Sequence, residues 1–240
     1  MTHWYDGQLL IGDAITLPIN DPGLLYGATV FTTLRVYEQD LDHPLSQWRD
    51  HCHRLSQSLQ AFSWQQPDWN RLREGAQRLS QQFPVLRMTI FPDGREWITG
   101  RALPSDLTQR QEQGIIAWLA KDGQFRRSFP QHKTGNYLSS WLALQTAKQK
   151  GAQEAILVDE NGNWLETGTG NLWGWKDGIW WTPAVSNALS GIARSRLINV
   201  LKQQNIPVQE TVWTPEFVNS LDALGYSNCV VQVVPIHTVI

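Results

Sequence analysis

The sequence predicts a mixed α+β fold in two strand-rich lobes with flanking helices. Three features predict it: β-rich runs outnumber amphipathic helices, glycine-containing turns punctuate them, and one polar stretch divides the chain near its middle. "HWYDGQLLIG" opens with a strand, an Asp-Gly turn and a second strand. "LPINDPGLLYGATVFTTLRVYEQD" gives a Pro-Gly loop, then a β-rich run from Val30 to Tyr37. From Pro44 onward, Leu45, Trp48, Cys52, Leu55, Leu59 and Phe62 recur at intervals of three and four, the apolar stripe of a helix. A second helix is expected over about 68–82, ended by Phe83-Pro84. "VLRMTIF" and "REWITGRAL" then read as strands joined at "PDG".

The run "LPSDLTQRQEQ", residues 103–113, has no apolar period and is assigned as the linker. It separates a smaller N-terminal domain, 1–105, from a larger C-terminal one, 106–240. "GIIAWLA" opens the second as a strand, and a helix over 137–150 stops at Gly151. The strands of "EAILVDENGNWLETGTGNLWGWKDGIWWTP" form a meander broken at "ENGN" and "KDG". "ALSGIARSRLINVLKQQNIP" is a helix with Ser190 as its N-cap and Pro207 beyond its end, and "SNCVVQVVPIHTVI" is strand-rich.

Composition removes several function classes. Twenty basic residues against twenty-two acidic ones, with no run of like charge, leave no footprint for nucleic acid. Cys52 and Cys229 are too few for a disulfide framework, and no signal-peptide pattern opens the chain. No apolar run approaches the roughly 20 residues that cross a bilayer. A cytoplasmic protein with neither nucleic-acid nor membrane partners is expected. The thirteen tryptophans sit mostly at strand or helix-core positions and are assigned to packing. P-loop, G-x-S-x-G and Rossmann patterns are absent from the sequence. His51 and His53 make an H-x-H on a helix, a spacing that points the rings apart and does not suit a shared metal.

Four features can carry chemistry. Lys133, in "SFPQHKTGNYLSSW", follows a proline-broken loop and precedes small polar residues. No carboxylate stands four residues away, the usual setting of a solvated helix lysine. At "LSGIARSR" small residues at the first turn leave the N–H groups of Ile192 and Ala193 open to an anion; an ordinary Ser-capped helix is the alternative. Arg54, one position from Leu55, suits a phosphate or carboxylate, with a salt bridge or solvent exposure equally compatible. Glu166, in "NWLETGTGNLW", faces either a cleft or solvent.

In order, "DPGLLYGATVFTTLRV", "HCHRL", "HKTGNYL", "LETGTGNLW", "ALSGIAR" and "SNCVVQVVPI" resemble the fold type IV family of pyridoxal phosphate enzymes. That family holds branched-chain and D-amino acid aminotransferases and 4-amino-4-deoxychorismate lyase. The resemblance implies pyridoxal 5'-phosphate as cofactor, with Lys133 as the Schiff-base lysine, carried by the C-terminal domain, that also shuttles protons. It implies Arg54 and the N–H groups of Ile192 and Ala193 as phosphate ligands, with Cys229 near another phosphate contact. Glu166 pairs with the pyridine nitrogen, Tyr137 lies near the phenolic oxygen and Leu189 packs behind the ring. A lysine in this role needs a depressed pKa to attack an aldehyde near neutral pH.

"VFTTLRV" and the chain's length are closest to the lyase, while "GNYLSSWL" and "LSGIAR" look as much like the branched-chain enzymes. The expected activity is therefore the lyase, which turns aminodeoxychorismate into 4-aminobenzoate and pyruvate for folate biosynthesis. A branched-chain or D-amino acid aminotransferase is the alternative. In the lyase Thr32 would protonate the leaving group or orient the substrate, with Thr33 on the other strand face. Arg95 or Arg101 would pair with a substrate carboxylate. The resemblance also implies a homodimer with its active site near the lobe boundary.

Overall fold

The computed structural model describes residues 1–240, apart from the side chain of Val185. The chain forms two compact units. Met1–Ser105 and the short segment His132–Asn136 make the first; Asp106–Gln131 and Tyr137–Ile240 make the second. Residues 132–136, Lys133 among them, thus group with the N-terminal unit rather than with the chain on either side.

In the first unit, β1 (Thr2–Tyr5) and β2 (Gln8–Ile11) pair antiparallel across Asp6-Gly7. Both turn residues have positive φ, 43° and 82°, which matches the right-handed twist of the strands. After the five-residue helix α1 (Pro22–Tyr26) come β3 (Val30–Arg35), α2 (Trp48–Ala61), α3 (Trp69–Ser80), β4 (Val85–Ile90) and β5 (Glu96–Arg101). The sheet is wholly antiparallel, in the order β2-β1-β5-β4-β3. Strand alternation sends Val30, Leu34, Leu86, Met88 and Ile98 to one face, where they bury against Leu55, Leu59, Leu72 and Leu79 of the two helices. Each such side chain contributes about 1.5–3 kcal/mol by leaving water. The predicted stripe begins one turn too early. Gln47 sits in the left-handed region at φ 54°, so Leu45 falls outside α2 and stays exposed.

The opposite face carries three rungs. Phe31, Thr89 and Trp97 form one, Thr33, Arg87 and Thr99 the next, and Arg35, Val85 and Arg101 the third. Onto the edge of β3 the segment 132–136 adds a short antiparallel bridge, Val30 with Thr134. Phe31 N–H donates to the Lys133 carbonyl at 2.8 Å, and Gly135 N–H donates to the Thr29 carbonyl at 2.7 Å. A Cβ at Gly135 would stand 2.2 Å from Thr29 Oγ1, so only glycine permits this approach.

The second unit has an eight-stranded mixed sheet. Its elements are α4 (Leu107–Gln113), β6 (Ile115–Ala120), α5 (Leu138–Gln149), β7 (Glu154–Val158), β8 (Trp164–Thr167), β9 (Asn171–Lys176), β10 (Ile179–Pro183), α6 (Ile192–Gln203), β11 (Val208–Thr211), α7 (Pro215–Val218), β12 (Ala223–Asn228) and β13 (Gln232–Val239). The order is β11-β10-β9-β12-β13-β6-β7-β8. Residues 107–113, expected as linker, are helical: Leu107 is buried and Arg110 pairs with Asp106 one turn back at 2.9 Å. Ala143 and Ala147 of α5 pack on Phe125, Ala155 and Leu157, and α6 lays Ile198 and Leu201 on Trp173. No helix among the described residues is long and apolar enough to cross a membrane.

Candidate active-site residues

In the first unit the sequence candidates are Lys133, Arg54 and Thr32. The backbone of Lys133 is fixed on β3, and His132 beside it is pinned twice. Its Nδ1 lies 3.0 Å from Ser58 Oγ, and its ring is 4.8 Å from that of Phe62. The Lys133 ammonium lies 4.9 Å from the centre of the Phe31 ring, and the Arg87 guanidinium lies 3.7 Å from the same ring. Two cations therefore share one aromatic ring.

Thr32 points the other way. It is fully buried on the helix side of β3, where its Oγ1 accepts from Arg54 Nη2 at 2.5 Å and lies 2.6 Å from His51 Nδ1. The face assignment made from sequence is thus reversed. Thr33 shares the face of Phe31 and Arg87, because Val30, Thr32 and Leu34 alternate toward the core. The His51 imidazole is held well below its usual pKa, first by burial and then by the charges of Arg54 and Lys133, so it is neutral.

Of the two arginines left open as carboxylate ligands, Arg95 is engaged elsewhere. It pairs with Asp21 and with Asp93, each at 2.6 Å, and donates to Tyr5 Oη at 2.6 Å. Arg101 is exposed, one rung further from Phe31 than Arg87. Arg87, which sequence reasoning passed over, is the arginine that shares the Phe31 ring with the lysine amine.

In the second unit, Glu166 on β8 is 5% exposed. Its Oε1 accepts from Arg127 Nη1 at 2.5 Å, and its Oε2 accepts from Leu189 N–H at 3.2 Å. Burial opposes the charge on Arg127, but Glu166 and Tyr137 outweigh it and raise the guanidinium's pKa. Arg127 also lies 5.0 Å from the centre of the Tyr137 ring, so one guanidinium ties two of the predicted residues together. Arg126, Arg127, Pro130, Val158, Asp159 and Glu166 line a cavity of about 260 Å³.

Just beyond lies the loop before α6. Asn171 Nδ2 donates to the Leu189 carbonyl at 2.8 Å, and a Cβ on Gly191 would fall 1.9 Å from Asn171 Oδ1. Gly191, not Ser190, is the N-cap, and no side chain caps this turn. The N–H groups of Ile192 and Ala193 thus begin a twelve-residue helix without a side-chain acceptor, an arrangement that favours an anion. At the other side of α6, buried Arg194 bonds Thr182 Oγ1, the Pro183 carbonyl and Glu210, which fixes the helix on β10 and β11. Cys229 lies in the turn between β12 and β13, where Asn228 Oδ1 accepts from Val230 N–H and Val231 N–H.

Arg127, His51, Arg87 and Asn171 were not singled out from sequence. His51 had a usable signal, since it stands three residues before Arg54 on one helix face. The others take their settings from residues far along the chain, which only the fold brings together.

Comparison with known proteins agrees with this chemistry. The family model described as "Amino-transferase class IV" matches residues 29–239. The branched-chain-amino-acid aminotransferase of Escherichia coli (strain K12) is 27% identical over 262 residues, spanning 98% of this chain and 84% of its own. The D-alanine aminotransferase of Listeria monocytogenes serotype 1/2a (strain 10403S) is 27% identical over 259 residues, spanning 96% and 85%. Among solved structures, the E. coli branched-chain amino acid aminotransferase matches with a TM-score of 0.85 at 26% identity, over 99% of this chain and 86% of that one. The T.th. branched-chain amino acid aminotransferase with pyridoxamine 5'-phosphate matches with 0.83 at 21% identity, over 99% and 85%, a likeness of fold. These relatives bear the names of aminotransferases, the alternative to the lyase expected from "VFTTLRV".

Proposed function

The chain belongs to the amino-transferase class IV family, and from that premise we propose that it passes the amino group of a branched-chain or D-amino acid to a 2-oxo acid. The cofactor is pyridoxal 5'-phosphate. The residues present fit it: an uncapped helix start and Arg54 suit a phosphate, and a buried carboxylate paired with Arg127 suits a protonated ring nitrogen. When bound, the cofactor supplies an electron-accepting ring that eases loss of the proton from the substrate's α-carbon.

The chain's own residues then divide the work. Lys133, its backbone fixed on β3, takes that proton at Nζ and returns it. Glu166 would hold the proton on the ring nitrogen, and Tyr137 would bond the ring's phenolic oxygen. Ile192 N–H, Ala193 N–H and Arg54 would hold the phosphate, with Cys229 near it, and Leu189 would pack against the ring. Arg87, which shares the Phe31 ring with the lysine amine, draws in the substrate carboxylate. Arg87→Gln is expected to raise KM for the amino acid about tenfold or more with a smaller change in kcat, measured by steady-state kinetics.

One observation favours transamination over elimination. The lyase reading gave Thr32 a part in handling the leaving group, yet its hydroxyl is fully buried and bonded to Arg54 and His51. The lyase remains the second reading because "VFTTLRV" is close to its pattern. Incubation with branched-chain or D-amino acids plus 2-oxoglutarate should yield glutamate and the matching oxo acid. Release of 4-aminobenzoate from aminodeoxychorismate without such transfer would reverse the choice.

A further inference from the structure

We infer that Thr32 and His51 are positioning residues: a neutral hydroxyl–imidazole pair that aims the guanidinium of Arg54. The inference rests on the reading above, in which Arg54 holds the cofactor's phosphate.

Hydrogen-bond bookkeeping fixes the direction of the first bond. An arginine can only donate, so Arg54 Nη2 gives its hydrogen to Thr32 Oγ1, 2.5 Å away. In the arrangement we infer, the hydroxyl's one hydrogen is directed at His51 Nδ1, 2.6 Å away, and that nitrogen carries the lone pair. In it His51 is the Nε2–H tautomer. Both Thr32 and His51 are fully buried, so neither has water to compete for the bond. Protonation of the ring would remove the acceptor, and burial together with the charges of Arg54 and Lys133 suppresses it.

The chemistry of this pair differs from that of the carboxylate partners used elsewhere in the unit. Glu96 anchors Arg71 at 2.6 Å and Asp21 anchors Arg95 at 2.6 Å, and each cancels its arginine's charge. Thr32 orients Arg54 through a neutral oxygen, which restricts the group's direction and brings no charge of its own. A guanidinium held this way is pre-aimed at an incoming dianion, and less ordering is left for the binding step.

The test compares binding of pyridoxal 5'-phosphate and of pyridoxal, which lacks the phosphate, to the cofactor-free full-length protein by absorbance titration. Arg54→Gln should remove most of the preference for the phosphorylated form. Thr32→Val and His51→Leu should each weaken pyridoxal 5'-phosphate binding about tenfold while leaving pyridoxal unchanged, and Thr32→Ser should restore the wild-type ratio. Normal discrimination in Thr32→Val beside a defective Arg54→Gln overturns the relay and leaves the cofactor reading standing. An Arg54→Gln protein that discriminates as well as the wild type overturns both the relay and the phosphate role of Arg54. Equal losses for the two ligands would make the pair structural only and sink the inference. A wild-type readout covers variants that fail to fold: nitrogen-15 spectra of the imidazole at pH 7 should show Nδ1 unprotonated and Nε2 protonated. An imidazolium or an Nδ1–H tautomer at His51 refutes the arrangement.

Discussion

At Glu166 a carboxylate in a nearly dry setting is held by an arginine that is itself buried, and neither can lose the other cheaply. Replacing Arg127 with Leu strips the partner from a buried charge and should cost about 3–5 kcal/mol of unfolding free energy in urea melts. Glu154 presents the opposite case. Burial pushes its carboxyl up to about 7, against the pull of bonds from Thr169, Ala155 N–H and Gly168 N–H and of the Arg110 charge. The native state therefore keeps a proton that the unfolded chain has lost, and this group's stabilising effect falls as pH rises from 4.5 to about 7. Glu154→Gln keeps a neutral side chain of the same shape. Thermal melts across that range should show the wild type losing on the order of 3 kcal/mol relative to the variant. His51 works in the other sense, its lowered pKa making stability rise with pH below 6.5, so the difference between the two proteins is the quantity to measure. At this scale Lys133, Arg54 and Glu166 could be singled out as candidates from their neighbours in sequence. Arg87 and Arg127 were not, since each gains its setting from residues far along the chain, Phe31 and Glu166.

Among the elements, α6 starts with the turn proposed above to hold the phosphate. Gly191 is there because Asn171 occupies the space a side chain would need. Gly191→Ala would force Asn171 Oδ1 away from 1.9 Å, release its hold on Leu189 and open the loop before the helix. We expect a loss of about 2 kcal/mol or more in stability. Weaker binding of pyridoxal 5'-phosphate should accompany it, read by melts and by cofactor titration. Ser190 looked like the cap from sequence because serine is a good one, and only the packing of Asn171 shows why glycine takes the place. The hairpins, the two long helices of the first unit and the meander were readable because period and turn chemistry agreed. The stretch 103–113 was not. Its helix rests on a single buried leucine and one surface ion pair, too little to make an apolar period. β11 escaped notice as four half-exposed residues pairing parallel to β10.

Across the whole molecule, the units are defined by contacts that do not follow the chain. The division at Ser105 is visible in the sequence as a loss of apolar rhythm. The reassignment of 132–136 is not, because it depends on strand pairing with residues a hundred positions earlier. Family membership was recoverable from the order of several weak motifs. The choice between lyase and aminotransferase rested on the chain's length and on one of them, "VFTTLRV", whose first threonine is turned toward the core.

That excursion of five residues makes the chain cross from one unit to the other three times, after Ser105, after Gln131 and after Asn136. A protease nick at the first crossing would leave the fragments still stitched together by Thr134 on Val30. Fragments 1–105 and 106–240 expressed apart would each be incomplete, the former without its amine. Mixed together, they should regain cofactor uptake, with the second donating to the first the lysine it cannot encode.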